Sequence, residues 1–302
     1  MPNQRSQRVL LILSKKEHHQ AQMVRFSLWL SQKLGESLLI TVPDLLSWPE
    51  SQWIHQWRSS VRGSPLDLLD QSPFLEVRSL GQDAYLKKVL HLIRNEKINL
   101  IVMDKLQIVS SLQEARHRAK NIDLQEFIAH LTSPLLLFDS GQSSSEFQSI
   151  LVPMSGEVRQ SQALEWAIFF ANQMQLPLDL IHVTRAPVVR VMESQNSLDS
   201  SLIGRTCDDF HHEYPSLVSE FLIQASPYSS VREKSVIREF VHCTGSELQE
   251  IIQYGQHKTN PIVVIEWKGN LSHGRSHILK GILRQTPWMT VLMREKGSLR
   301  SR

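Results

Sequence analysis

The sequence predicts an α/β protein: two open, mostly parallel five-stranded sheets with helices on both faces, arranged as a pseudo-two-fold tandem repeat. Three observations predict it. Short apolar runs closed by a small polar residue read as buried parallel strands. They alternate with stretches of helical periodicity. The order of runs in the first half then returns in the second.

The elements follow in order. Val9-Leu10-Leu11-Ile12-Leu13-Ser14 and Ile150-Leu151-Val152-Pro153-Met154-Ser155 are the opening strands. Met23, Phe26, Leu30 and Leu34 share a helical face in the first half, and Leu164, Ala167, Ile168 and Ala171 do so in the second. The second strands are Ser37-Leu38-Leu39-Ile40-Thr41-Val42 and Leu178-Asp179-Leu180-Ile181-His182-Val183. A variable segment comes next in both halves, with Trp53, Ile54, Trp57 and Val61 at helical spacing in one and Leu217, Val218, Phe221 and Leu222 in the other. A strand is expected after each variable segment without fixed residues. The tryptophans read as a helix packed on the sheet, with a partner surface as the alternative.

The strongest match lies later. Leu86, Val89, Leu90 and Ile93, followed by Leu100-Ile101-Val102-Met103-Asp104, move along by 162 positions without a gap. They become Leu248, Ile251, Ile252 and Gly255, then Ile262-Val263-Val264-Ile265-Glu266. Phe127-Ile128 leads into Pro134-Leu135-Leu136-Leu137-Phe138 as Ile282-Leu283 leads into Thr290-Val291-Leu292-Met293. Gly141-Gln142-Ser143-Ser144-Ser145 is the natural linker, giving domains over 1–141 and 146–302.

Composition agrees. The chain has 302 residues, 41% hydrophobic and 21% charged, enough for two domains with cores of their own. A formal charge of +3 is too small to announce a nucleic-acid surface. Cys207 and Cys243 cannot make a disulfide framework, so a reducing compartment is expected. The sequence shows no signal-peptide stretch and no run near ~18 apolar residues, so the expectation is a soluble cytoplasmic protein without direct membrane insertion.

Ile150-Leu151-Val152-Pro153, Gln162-Ala163-Leu164-Glu165-Trp166-Ala167 and Leu180-Ile181-His182-Val183 together resemble the opening of a universal stress protein domain. The stretch from Pro261 through Leu283-Arg284-Gln285-Thr286-Pro287 to Met293 resembles that family's closing strand, helix and strand. The resemblance covers about 148–295 well and 8–139 more weakly. It implies a five-stranded sheet and pairing through the last strand, here as an intramolecular pseudo-dimer or as a homodimer.

One branch of that family binds ATP through a loop of the form G-x2-G-x9-G-(S/T) after the fourth strand. Glycines let the backbone approach the phosphates, and the next helix supplies N–H donors. This chain departs from the pattern. Glu266, Trp267 and Lys268 follow the strand, Gly269 matches the second glycine, and the final Gly-Ser pair falls on Ser276-His277. Ser155 replaces the acid expected after the first strand, with Gly156 next. Ser155-Gly156-Glu157 also resembles the start of the Ser-Gly-Gly loop of ATP pyrophosphatases, without its second glycine or its Asp-Ser. Lys268, Gly269, Ser272, Gly274, Arg275, Ser276 and His277 still form a polar, partly basic loop before a helix, able to take an anion. The candidate cofactor-binding residues are therefore Ser155, Gly156, Lys268, Gly269, Gly274, Arg275, Ser276 and His277, for ATP or another adenine nucleotide. In the first half Asp104-Lys105-Leu106-Gln107 has no glycine at all.

Cys207-Asp208-Asp209-Phe210-His211-His212-Glu213 is the densest set of metal-ligand types but lacks a second pair elsewhere, so no metal site is expected. No nucleophile and base share a meaningful spacing. The expected function is a non-catalytic stress-response or regulatory protein acting through protein contacts, with a membrane transporter as a candidate partner by analogy. The alternative is a sensor of ATP, AMP or a cyclic dinucleotide in the second half.

Overall fold

A computed structural model of the chain describes residues 7–13, 20–43, 75–114, 122–139, 147–154, 162–184, 237–267 and 276–294. The first half runs β1 (Arg8–Ile12), α1 (Gln20–Leu34), β2 (Ser37–Val42), β3 (Leu75–Ser79), α2 (Tyr85–Asn95), β4 (Ile98–Asp104), α3 (Lys105–Glu114), α4 (Ile122–Ala129) and β5 (Leu135–Phe138). The second runs β6 (Ser149–Met154), α5 (Gln162–Met174), β7 (Leu178–Thr184), β8 (Ile237–Thr244), α6 (Glu247–Gln256), β9 (Pro261–Trp267), α7 (Ser276–Gln285) and β10 (Met289–Arg294).

By contact, the residues group into Met1–Phe147 with Ile265–Arg302 as one unit and Gln148–Val264 as the other. This grouping follows hydrogen bonding rather than sequence repeat, because β10 pairs antiparallel with β5, Thr290 opposite Leu137 and Val291 opposite Leu136. Within the first unit the strands run in the order β3-β2-β1-β4-β5-β10. The pairs β1–β2, β1–β4, β2–β3 and β4–β5 are all parallel. Within the second the order is β9-β6-β7-β8, again parallel throughout. The order β3-β2-β1-β4 is thus repeated by β8-β7-β6-β9, with the order reversing beside the first strand of each, as doubly wound sheets do.

The apolar runs are buried for the reason the sequence suggested: strands covered on both faces cannot alternate. Val9 to Ile12, Leu38 to Ile40, Leu100 to Met103 and Ile262 to Val264 are all almost wholly inaccessible. Met23, Phe26 and Leu30 of α1 face this core, as do Leu164, Ala167 and Ala171 of α5. Phe26 meets Phe138 at 5.2 Å and Phe147 at 5.9 Å between ring centroids. Both first helices end alike. Glu36 N–H donates to the Ser31 carbonyl and Leu176 N–H to the Ala171 carbonyl, five residues back, after a left-handed residue that is Gly35 (φ 68°) in one half and Gln175 (φ 56°) in the other.

One feature departs from the sequence reading, and one supplies residues that the sequence reading left open. One helix was expected between the fourth and fifth strands of the first half; α3 and α4 both lie there, and β4 passes into α3 without a loop. The strands after the variable segments, β3 and β8, are edge strands of half-exposed pattern, so no continuous apolar run marked them.

Candidate functional site

In open α/β sheets a ligand crevice forms at the carboxyl ends of the strands, where the strand order reverses. In the first half that region lies at the ends of β1, β2 and β4, where Asp104 and Tyr85 stand. Asp104, buried at the end of β4, accepts a hydrogen bond from the Leu106 backbone N–H at 2.8 Å. A carboxylate therefore already stands on the first turn of α3, where an anion would bind. Tyr85, at the start of α2, reaches over the neighbouring strand ends. Its hydroxyl donates to the Thr41 carbonyl at 2.9 Å, with the Thr41 hydroxyl 3.0 Å and the Leu13 carbonyl 3.3 Å away.

Lys105 is the third residue of this group. Its side chain is only 3% exposed. The ammonium donates to the Asp139 carboxylate at 3.1 Å, to the Trp288 carbonyl at 3.1 Å and to the Thr286 carbonyl. Burial pulls its pKa below the usual lysine range, while Asp139 pushes it back up. Sequence reasoning saw only that this stretch lacked glycine. That the lysine is buried and has three acceptors depends on where residues 286–288 lie, which local pattern does not encode.

In the second half the residues 162 positions on from Asp104 and Lys105 are Glu266, half-buried, and Trp267, buried. A carboxylate thus stands where the family resemblance expects the first glycine, with an indole beside it. Ser155, Gly156, Lys268, Gly269, Gly274 and Arg275 lie outside the described residues, as do Ser272, both variable segments with the tryptophans of the first, the Cys207–Glu213 cluster and the linker. Ser276 opens α7, and His277 is exposed on its first turn. The helix thus takes in Ser276 and His277, which the sequence reading placed in the loop before it.

His182, near the carboxyl end of β7, is buried, with Nδ1 3.3 Å from the Met154 carbonyl. Burial lowers its pKa, partly opposed by that carbonyl and by Glu247. Among the described residues no three His, Cys, Asp or Glu side chains converge as metal ligands would, and no helix is long and apolar enough to cross a membrane.

The opposite, amino ends of the strands carry ion pairs. In the second unit the fully buried Asp179 carboxylate accepts from Arg238 through two nitrogens, Nε at 2.9 Å, and lies 3.4 Å from Lys258 Nζ. Lys258 also pairs with Glu239 at 2.9 Å and sits 4.4 Å from the centre of the Tyr254 ring. In the first unit Arg8, Glu76, Arg78 and Glu96 form the corresponding network. Fully satisfied charge groups away from the crevice are structural.

No family model matches the sequence, and no curated protein matches it. Solved structures do match. A protein of unknown function from Pseudomonas aeruginosa superposes with a TM-score of 0.58 at 10% identity, over 97% of this chain and 94% of its own. A protein from Pseudomonas aeruginosa provisionally described as a universal stress protein gives 0.56 at 11%, over 97% and 95%. A universal stress protein from Archaeoglobus fulgidus gives 0.52 at 14%, over 95% and 96%. With the parallel strand order and the helix-flanked sheets described above, this chain has the α/β fold of the universal stress proteins.

Proposed function

We propose that the protein is a non-catalytic stress-response or regulatory module of the universal-stress-protein type, acting through protein contacts. The observation that carries this reading is the set of polar contacts at the strand ends of the first half. Asp104 holds the helix N–H that would take an anion, and the Tyr85 hydroxyl lies on the Thr41 and Leu13 carbonyls. A scaffold whose anion-binding groups are engaged by its own side chains works through its surface in this reading. A cytosolic region of a transporter is the partner that analogy suggests. Affinity capture with the full chain from its source cell, followed by quantification, tests it. A stoichiometric partner supports the reading, and capture of none argues against it.

A second reading rests on α7. Its first residues, Ser276 and His277, end the loop where the sequence gathers Lys268, Gly269, Gly274 and Arg275, with Ser155 and Gly156 after the opening strand of the same half. A helix start beside two cations suits a phosphate, so an adenine nucleotide or cyclic dinucleotide is the ligand of this reading. Thermal unfolding with millimolar ATP, ADP, AMP and cyclic dinucleotides separates the two. A ligand at about 100 times its dissociation constant adds roughly 2.7 kcal/mol. A rise in Tm that disappears in Arg275→Ala supports the sensor. No rise with any of them leaves the protein-contact reading.

A further inference from the structure

The exposed face of α2 carries charge of one sign. Lys87, His91 and Arg94 stand at i, i+4 and i+7, which sets them in one row along the helix, and all three are exposed. Lys88 beside the row is exposed too, its ammonium donating to the Leu80 carbonyl at 2.7 Å. His91 Nε2 lies 2.8 Å from the Asn95 amide nitrogen. Among the described residues Lys87 and Arg94 make no ion pair, and α2 itself contains no acid.

Helix formation does not call for this pattern. Cations in a first turn oppose the helix dipole, and like charges three or four residues apart repel. The N-cap residue, Ala84, is left-handed at φ 51° and supplies no side-chain cap. α6, 162 positions on, is built in the ordinary way, with Glu247 and Glu250 in its first turn. There the counterparts of Lys87, His91 and Arg94 are Gln249, Gln253 and Gln256, all exposed and uncharged. The same face of the same element is neutral in one half and basic in the other. A local rule broken with no structural return marks a working surface.

Charge and spacing choose the occupant. Lys87 and Arg94 lie about 10.5 Å apart along the helix axis, the spacing at which a second helix presents carboxylates at i and i+7. Leu86 and Leu90, half-buried, run beside the row and offer an apolar edge. A bilayer would ask for large exposed apolar groups to insert, and α2 has none. The formal charge of +3 is too small for a nucleic-acid surface. We infer that the row Lys87, His91 and Arg94 is the docking face for an acidic amphipathic helix of a protein partner. This face is the surface that the protein-contact reading needs, and its assignment rests on that reading.

The test titrates a labelled helical peptide of about 15 residues, with glutamates at i, i+4 and i+7 and leucines beside them, against the full chain. The same peptide with glutamine for glutamate is the control. The acidic peptide should bind at least about tenfold tighter than the control, and lose at least about tenfold in Lys87→Glu with Arg94→Glu. Gln249→Glu with Gln256→Glu on α6 should change its affinity less than about twofold. If the reversed α2 fails to fold, Lys87→Glu alone decides. Equal binding of the two peptides, or undiminished binding by the reversed chain, overturns the assignment. So does binding of a DNA duplex or of phosphatidylserine vesicles in place of the peptide. Capture from the source cell separates this face from the reading beneath it. A partner held equally by parent and reversed chain overturns the face alone. No partner with either chain counts against the protein-contact reading, while the peptide still decides the face.

Discussion

Glu96 and Lys258 stand at the same place in the two halves, 162 positions apart, and carry opposite charges. Glu96 follows α2 and pairs with Arg78 on the edge strand β3 at 3.1 Å; Lys258 follows α6 and pairs with Glu239 on the edge strand β8 at 2.9 Å. The contact survives with its polarity reversed. A site for an external ion would hold one sign of charge, so the arrangement serves to tie each edge strand to its helix.

Reversing one partner should therefore harm only its own unit. Glu96→Lys places a third cation beside Arg8 and Arg78 and should cost about 1 kcal/mol, because the pairs are partly exposed. The loss should shrink in 1 M salt and be partly recovered by adding Arg78→Glu. Denaturant unfolding at two salt concentrations measures it.

Asp179 should matter more. Its carboxylate is wholly buried against Arg238 and Lys258, so Asp179→Asn leaves two cations without their shared anion. A loss of about 1–2 kcal/mol is expected, because Arg238 is half exposed and Lys258 keeps Glu239, against near-neutral behaviour for a surface Asp→Asn change. No measurable loss would mean the group is hydrated in solution.

Glu36 predicts a pH-dependent gain. It is buried; one oxygen accepts from Asn99 and Oε2 has no partner among the described residues. Burial raises its pKa despite the Asn99 bond. With the folded pKa above 4.5, the fold favours the protonated acid, and its contribution is lost as pH rises through the folded value. Glu36→Gln should thus stabilise at pH 7 and make no difference near pH 4. Tm of the two proteins across that range checks the sign.

His182 runs the other way. Its folded pKa lies below 6.5, so the unfolded chain takes up the proton first, and stability falls as pH drops below 6.5. His182→Gln should flatten the slope of Tm between pH 7 and pH 5. An unchanged slope would place the acid sensitivity elsewhere.

Gly35 and Gln175 occupy the same left-handed position after α1 and α5. A residue with a Cβ is strained there by roughly 1 kcal/mol. Gln175→Gly should be neutral to stabilising, and Gly35→Ala should cost about 1 kcal/mol. Calorimetric Tm values decide both.

Much of this was legible in the chain. The buried strands, the faces of α1 and α5, and the ungapped match of 86–104 to 248–266 were readable because apolar periodicity is a local property. The departure from the glycine-rich pattern that the resemblance implies is read from residue identity alone, at Glu266 where the first glycine is expected. β3 and β8 escaped, because an edge strand half open to water has no continuous apolar run. What only the tertiary structure decided is which polar groups meet at the strand ends and which strand pairs with β5. Tyr85 reaches Thr41 across 44 positions, and Lys105 finds the carbonyl of Trp288 across 183. Such contacts are set by the approach of distant strand ends, and a buried ammonium is tolerated only where its acceptors converge. Local pattern fixes which segments are buried; the meeting of segments fixes which polar group each buried charge satisfies.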